Sequence, residues 1–281
     1  MLAFILIFIV VCVVYAFLIM PRSTERPSFD GLLADYAHRG CYSSAFPENS
    51  LGAFKRAMES GFGIELDVRM TKDRQIVVFH DSNLLRMCGV DKEVKDLTLS
   101  EIKELRLKDT EFDIPTLWEV FELVDGEVPV LIEIKGEGKS AEISYVLSDI
   151  LDSYGGAFCV SSFNPYCIKY FKTYRPQFVR GQHMSNFFGK NIGVGFFPKL
   201  FMTLLFANSL SRPDFIAFDT RCDKNFSLFL CLKVFGIKGF AWTVRDVDTL
   251  KKYKRAGLCA IFEKFDTSGK TGGRNEKNTR G

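Results

Sequence analysis

The sequence predicts an α/β protein, a TIM-type (β/α)8 barrel, slightly irregular, behind an N-terminal transmembrane helix. Three observations carry this. From Leu32 onward, short and nearly continuous apolar runs alternate with amphipathic stretches of helical period, the pattern of a parallel sheet wrapped by helices. Charged residues collect where several of those runs end, which is where such barrels keep their sites. The first twenty residues carry no charge, and about 20 apolar residues cross a bilayer as a helix.

Taken in order, "MLAFILIFIVVCVVYAFLIM" lacks the basic start, short apolar core and small-residue cleavage site of a secretory signal peptide. Residues 1–21 therefore read as an uncleaved anchor. Arg22 and Arg26 follow it, and the positive-inside rule then puts the main domain in the cytoplasm. Residues 22–31, with two prolines, read as a linker. The strand candidates are "LLADYAH", "GIELDV", "QIVVFH", "PVLIEIK", "AFCVSSF", "QFVRGQ", "DFIAFD", "KGFAWTV" and "LCAIF". "NSLGAFKRAMES", "SAEISYVLSDILDSY" and "RDVDTLKKYKRAG" read as helices, the first capped by Asn49 or Ser50. Nine candidates compete for eight places, and "RMTKDR" is too short for a helical crossover. One candidate thus lies outside the barrel, or that unit is irregular. The barrel is expected over 32–265 and a disordered basic tail over 266–281. The apolar stretch 187–210 reads either as a barrel helix with its loop or as a segment dipping into a membrane surface.

The net charge of +3 and the lack of any recognition motif exclude a dedicated nucleic-acid binder. The 28 phenylalanines supply a large core or a membrane-facing surface. Eight scattered cysteines, with no C-x-x-C pair, read as reduced and mostly buried thiols.

Four segments bring charge to strand ends: "AHRG" with His38 and Arg39, "IELDV" with Glu65 and Asp67, "VFHD" with His80 and Asp81, and "LIEIK" with Glu133 and Lys135. Residues two apart on a strand share a face. Three carboxylates facing a barrel interior repel one another and are costly to desolvate. A divalent cation offsets that, and all-oxygen ligation selects Mg²⁺ or Ca²⁺ over zinc. An ion-pair network with Arg39 and Lys135 is the structural alternative, and spacing leaves both open.

The ordered set H-R-G, E-N, E-x-D, H-D, E-x-K, S-F (Ser161 to Phe163) and W-T (Trp242 to Val244) resembles the glycerophosphodiester phosphodiesterase family over roughly residues 33 to 263. The resemblance implies a TIM-type barrel that hydrolyses glycerophosphodiesters to glycerol 3-phosphate and an alcohol. It implies one divalent cation on Glu65, Asp67 and Glu133, and His38 and His80 as an acid/base pair acting through a cyclic phosphate. Arg39 and Lys135 then suit the phosphate, and Trp242 the glycerol end or the core. Glu48 and Asn49 match the E-N pair as supporting residues, and Asp81 joins the metal shell or caps its loop. His183, without a motif, reads as structural, as does Trp118 in its helix. The chain departs from the family at "LCAIFEKF", where Phe262 and Glu263 replace a Gly-Ile-Thr-Asp-like ending, which puts a supporting role for that strand in doubt. Two rival readings stand beside this one. The first is lysophospholipase D or phospholipase C-like action on membrane lipids, with the membrane met through 1–21 and 187–210. The second is a non-catalytic, membrane-tethered binding barrel.

Overall fold

In the computed structural model, eight parallel strands close into a barrel; residues 1–23, 26–138, 141–188 and 195–263 are described. The tail expected over 266–281 lies outside them. In chain order the strands are β1 (Tyr36–His38), β2 (Gly63–Met70), β3 (Ile76–Val78), β4 (Val130–Ile134), β5 (Phe158–Ser162), β6 (Arg180–Met184), β7 (Phe215–Asp219), β8 (Lys238–Val244) and β9 (Cys259–Phe262). The sheet runs β1-β9-β8-β7-β6-β5-β4-β2, and a β1–β2 pairing closes it. β3 is the ninth candidate: it folds back antiparallel on the end of β2 through the short "TKDRQ" turn. The segment after it carries its own small core, in which Phe79, Leu84, Val94, Ile102 and Ile114 are buried.

Local chemistry sets the outer helices. Leu51–Glu59 is capped by Ser50, whose Oγ accepts from the Ala53 N–H at 3.2 Å. Leu117–Val124 starts with a capping box of Thr116 and Glu119. Pro165 occupies the first turn of Pro165–Tyr174, behind Asn164 as cap. Two apolar layers result. One lies between strands and helices; the other fills the barrel with Tyr36, Leu131, Cys159, Phe215, Phe240 and Ile261.

The N-terminal helix Leu2–Ile19 is exposed from Leu2 to Val14, but Ile19 is fully buried against the barrel. Asn208 Nδ2 donates to the Ile19 carbonyl at 2.8 Å, and Arg212 Nη1 to the carbonyls of Phe17 and Met20. Arg22 and Arg26 donate to carbonyls of Pro176 and Phe235. The barrel thus accounts for the two arginines without the positive-inside rule. In the 187–210 stretch, the helix Phe196–Thr203 has no buried residue.

Gly181 on β6 faces the barrel interior, and a Cβ there would lie 2.2 Å from the ring of Phe215, itself packed 4.5 Å from Phe240. We expect Gly181→Ala to lower stability by about 1–3 kcal/mol, because neither ring has room to move. The urea midpoint at unchanged m-value measures it; a midpoint equal to wild type would show that the inner layer is loose.

Candidate active site

Strand register gathers the acids. His38 lies beside Glu65 in the β1–β2 ladder, Asp67 beside Glu133 in β2–β4, and Glu133 beside Ser161 in β4–β5. Glu65, Asp67 and Glu133 each offer an oxygen within 4.8 Å of the others. Their exposures are 2%, 0% and 6%, so water does little to screen them.

Two cations answer three acids. Lys135 Nζ sits 2.9 Å from Asp67 Oδ1 and bonds Glu133. Arg39 Nε lies 3.2 Å from Asp67 Oδ2, which also accepts from Asn49 Nδ2 at 3.0 Å. Burial alone would raise the pKa of Asp67, but Lys135, His80 and Arg39 hold it well below the carboxylate range. Burial is likewise outweighed at Glu133, by Lys135 and His183. Glu65 accepts from the Arg39 backbone N–H at 3.0 Å and has His38 Nε2 at 4.0 Å. Burial, then repulsion by Asp67, push its pKa up to about 7. The ion-pair network therefore exists, yet it leaves Glu65 without a full positive partner. Asp67 Oδ1 and Arg39 Nε, both buried, face their ion-pair partners without hydrogen-bond geometry and keep bonding capacity for a ligand. These features fit a hard divalent cation on the three carboxylates.

Each histidine is braced by an acid. His38 Nδ1 is 2.9 Å from Glu263 Oε2. That bond first of all, with help from Arg245 and Tyr42, lowers the Glu263 pKa to about 2. An ionised carboxylate only accepts, so Nδ1 carries the proton and Nε2 is left for proton exchange. His80 Nδ1 donates in the same way to Asp81 at 2.6 Å. Burial lowers the pKa of His80, against the pull of Asp67. Asp81 is in turn held by Arg86, Arg86 by Glu48, and Glu48 accepts from Arg39 Nη1 at 2.8 Å. A chain of bonds thus runs from His80 around to Arg39.

The backbone is shaped to match. Arg39 and Asn49 both adopt left-handed conformations, with φ of 58° and 60°, sparsely populated for side chains other than Asn, Asp and Gly. Gly40 (φ 79°) is required because a Cβ would lie 2.7 Å from the Ala53 backbone.

Most of the expected residues converge, with three changes of role. Asp81 lies outside the carboxylate cluster and braces His80. Glu263, on the strand whose role the departing sequence put in doubt, reaches His38; the inward alternation Cys259, Ile261, Glu263 is the signal that would have found it. His183 has partners after all: Ser161 Oγ at 2.9 Å and Glu133 Oε2 at 3.9 Å. Burial pushes its pKa down to about 4. Trp242, half-buried, stands in the barrel mouth with Phe163 at 5.7 Å and His183 at 5.9 Å between ring centroids.

Residues 38–265 match the glycerophosphoryl diester phosphodiesterase family. A glycerophosphodiester phosphodiesterase of Caldanaerobacter subterraneus subsp. tengcongensis is 35% identical over 241 residues, covering 80% of this chain and 91% of that one. A lysophospholipase D of Rattus norvegicus is 38% identical over 112 residues, 35% of either chain. Among solved structures, a glycerophosphodiester phosphodiesterase from Thermotoga maritima superposes with a TM-score of 0.63 at 28% identity, covering 82% of this chain and 94% of that one. A phosphodiesterase of Oleispira antarctica, solved with the product sn-glycerol-3-phosphate, superposes at 0.69 with 24% identity, covering 83% and 93%; that likeness bears on the fold.

A raised Glu65 pKa has a consequence for stability. The folded state holds this proton more tightly than the unfolded chain, so its contribution is full below about pH 4.5 and lost as pH rises through about 7. In metal-free protein, Glu65→Gln should therefore raise stability at pH 8 by on the order of 2 kcal/mol and far less at pH 5. The same change should abolish the thermal shift produced by Ca²⁺ or Mg²⁺. Equal effects of the substitution at both pH values would contradict this account.

Proposed function

We propose that this chain, which belongs to the glycerophosphoryl diester phosphodiesterase family, hydrolyses glycerophosphodiesters to sn-glycerol 3-phosphate and an alcohol. The observation that carries the reading is the buried cluster of three carboxylates flanked by two histidines, each with its Nδ1 tied to an acid.

Glu65, Asp67 and Glu133 would hold the divalent cation, Mg²⁺ or Ca²⁺. Such an ion, when bound, supplies positive charge to the phosphate and acidifies a coordinated hydroxyl. The protein's own groups do the rest. Arg39, kept in place by Glu48 and Asp67, offers a planar fork to the phosphate, and Lys135 a point charge. One histidine Nε2 takes the proton of the substrate's neighbouring glycerol hydroxyl as that oxygen bonds phosphorus. The other donates a proton to the alcohol oxygen as its bond to phosphorus breaks. Water then opens the cyclic phosphate, with the two histidines exchanging roles. Asp81 and Glu263 act by fixing the tautomer of each ring and stabilising its charged form. Trp242 and Phe163 wall the mouth on the side where the glycerol carbons would lie.

Residues 1–21, with mean hydropathy of 3.3 over the 18-residue helix, we read as a membrane anchor, with the barrel of 32–265 as the catalytic unit. Lysophospholipids are a second substrate class. A cleft of about 860 Å³ supports it, lined both by Glu133 and Lys135 and by the apolar Phe187, Phe197, Phe201 and Met202. The observation suits a headgroup carrying one acyl chain.

Three outcomes test the reading on full-length protein in detergent. Release of glycerol 3-phosphate from glycerophosphocholine should vanish in EDTA and return with one of the two cations. His38→Ala and His80→Ala should each lower kcat by roughly 10²–10⁴ with the fold intact. Glu263→Gln should lower kcat by about tenfold or more at nearly constant KM, since it loosens the His38 tautomer without touching the substrate. Metal-independent turnover would remove the carboxylate site from the mechanism; full activity in either histidine variant would remove that histidine.

A further inference from the structure

The N-terminal helix is docked in a fixed direction. Arg22, just past its C-terminal end, donates its N–H to the Pro213 carbonyl and its Nη1 to that of Pro176. Those prolines precede β7 and β6, so this end sits at the bottom of the barrel. One to two turns earlier, Ile19 O is contacted by Cys231 and Tyr15 Oη pairs with Ser227 Oγ at 2.7 Å. Ser227 lies in the first turn of the helix Phe226–Phe229, which follows the C-terminal end of β7, toward the face that carries the active site. From Tyr15 to Ile19 the helix therefore descends alongside residues 227–231. Its exposed residues 2–14, a rise of roughly 20 Å at 1.5 Å per residue, project from the catalytic face.

That same rim is apolar. Phe196 and Phe197, on a helix with no buried residue, are 61% and 79% exposed, and Phe226 is 64% exposed. Aromatic contacts tie part of this rim to the anchor: Tyr15 stacks on Phe226 and meets Phe206 edge-on at 5.7 Å, and Phe206 meets Phe201 at 6.2 Å, while Phe196 and Phe197 meet each other at 5.7 Å on the helix that carries Phe201. Phe201 and Phe197 also line the cleft to which Glu133 and Lys135 contribute.

We propose that the barrel lies mouth-down on the bilayer that its own helix enters, with Phe196, Phe197 and Phe226 in the interface. A single-chain glycerophospholipid then passes from the leaflet along the apolar cleft to the carboxylates without crossing bulk water. Exposed phenylalanines continuous with a membrane helix are what an interfacial surface requires. The proposal rests on the anchor and phosphodiesterase readings and adds an orientation and a route to them.

The test uses full-length protein reconstituted in phosphatidylcholine vesicles. With Phe197→Trp, we expect indole emission to shift to the blue and to be quenched by phosphatidylcholine brominated high on the acyl chain, well beyond the quenching of the wild type's own tryptophans. With Phe196→Ser, the ratio of lysophosphatidylcholine to glycerophosphocholine turnover should fall by about tenfold, because one interfacial anchor is lost. Carbonate washing and glycerophosphocholine turnover are read on the same samples. Carbonate-resistant, active protein with no quenching and an unchanged ratio would overturn the orientation alone. Protein stripped by carbonate would overturn the anchor and the orientation with it, and carbonate-resistant protein inactive on both substrates would overturn the phosphodiesterase reading and the lipid route.

Discussion

Glu65, Asp67 and Glu133 are buried within 4.8 Å of one another, and Arg39 and Lys135 are the cations the chain sets against them. Much of the architecture follows from that imbalance. Carboxylates are held this close in low dielectric only by a rigid frame. The frame is three adjacent parallel strands whose register puts His38 next to Glu65, and Asp67 next to Glu133. Arg39 and Asn49 both sit in the left-handed region, and from there the Arg39 backbone N–H reaches Glu65 and the Asn49 side chain reaches Asp67. The deficit at Glu65 is the part of the balance that a divalent cation would complete.

Around this charge the histidines are treated alike by different means. His38 is braced from the end of the neighbouring β9 by Glu263, more than 200 residues away in sequence, and His80 by the adjacent Asp81. In both, an acid fixes Nδ1 as the donor and frees Nε2. Asp81 is further tied through Arg86 and Glu48 to Arg39. The loops after β1 and β3 are thus mechanically joined, and Arg39 and His80 share a scaffold.

The N-terminal helix is more than a tether. Ile19 belongs to the main core, and Asn208 and Arg212 hold the last carbonyls of the helix. Hydrogen bonds of this kind fix direction as well as position. Nearer its start, Tyr15 of the helix stacks on the exposed Phe226.

The fold class was legible in the alternation of apolar strands and amphipathic helices, and the charged strand ends were legible because a two-residue spacing fixes a shared face. That the third strand turns back antiparallel was not, since "QIVVFH" is as apolar as the barrel strands and only its pairing with β2 distinguishes it. Nor was Glu263's reach to His38, because sequence has no distance between the first and last strands until the sheet closes. His183 looked solitary because Ser161 and Glu133, on the two strands before its own, become its neighbours only when β4, β5 and β6 pair. The sequence by itself determined which side chains share a face, because strand and helix periods are local. Which faces meet, which nitrogen of each histidine is tied, and which way the apolar helix points were decided by tertiary structure alone, because each depends on side-chain geometry or on contacts between segments that strand pairing and barrel closure bring together.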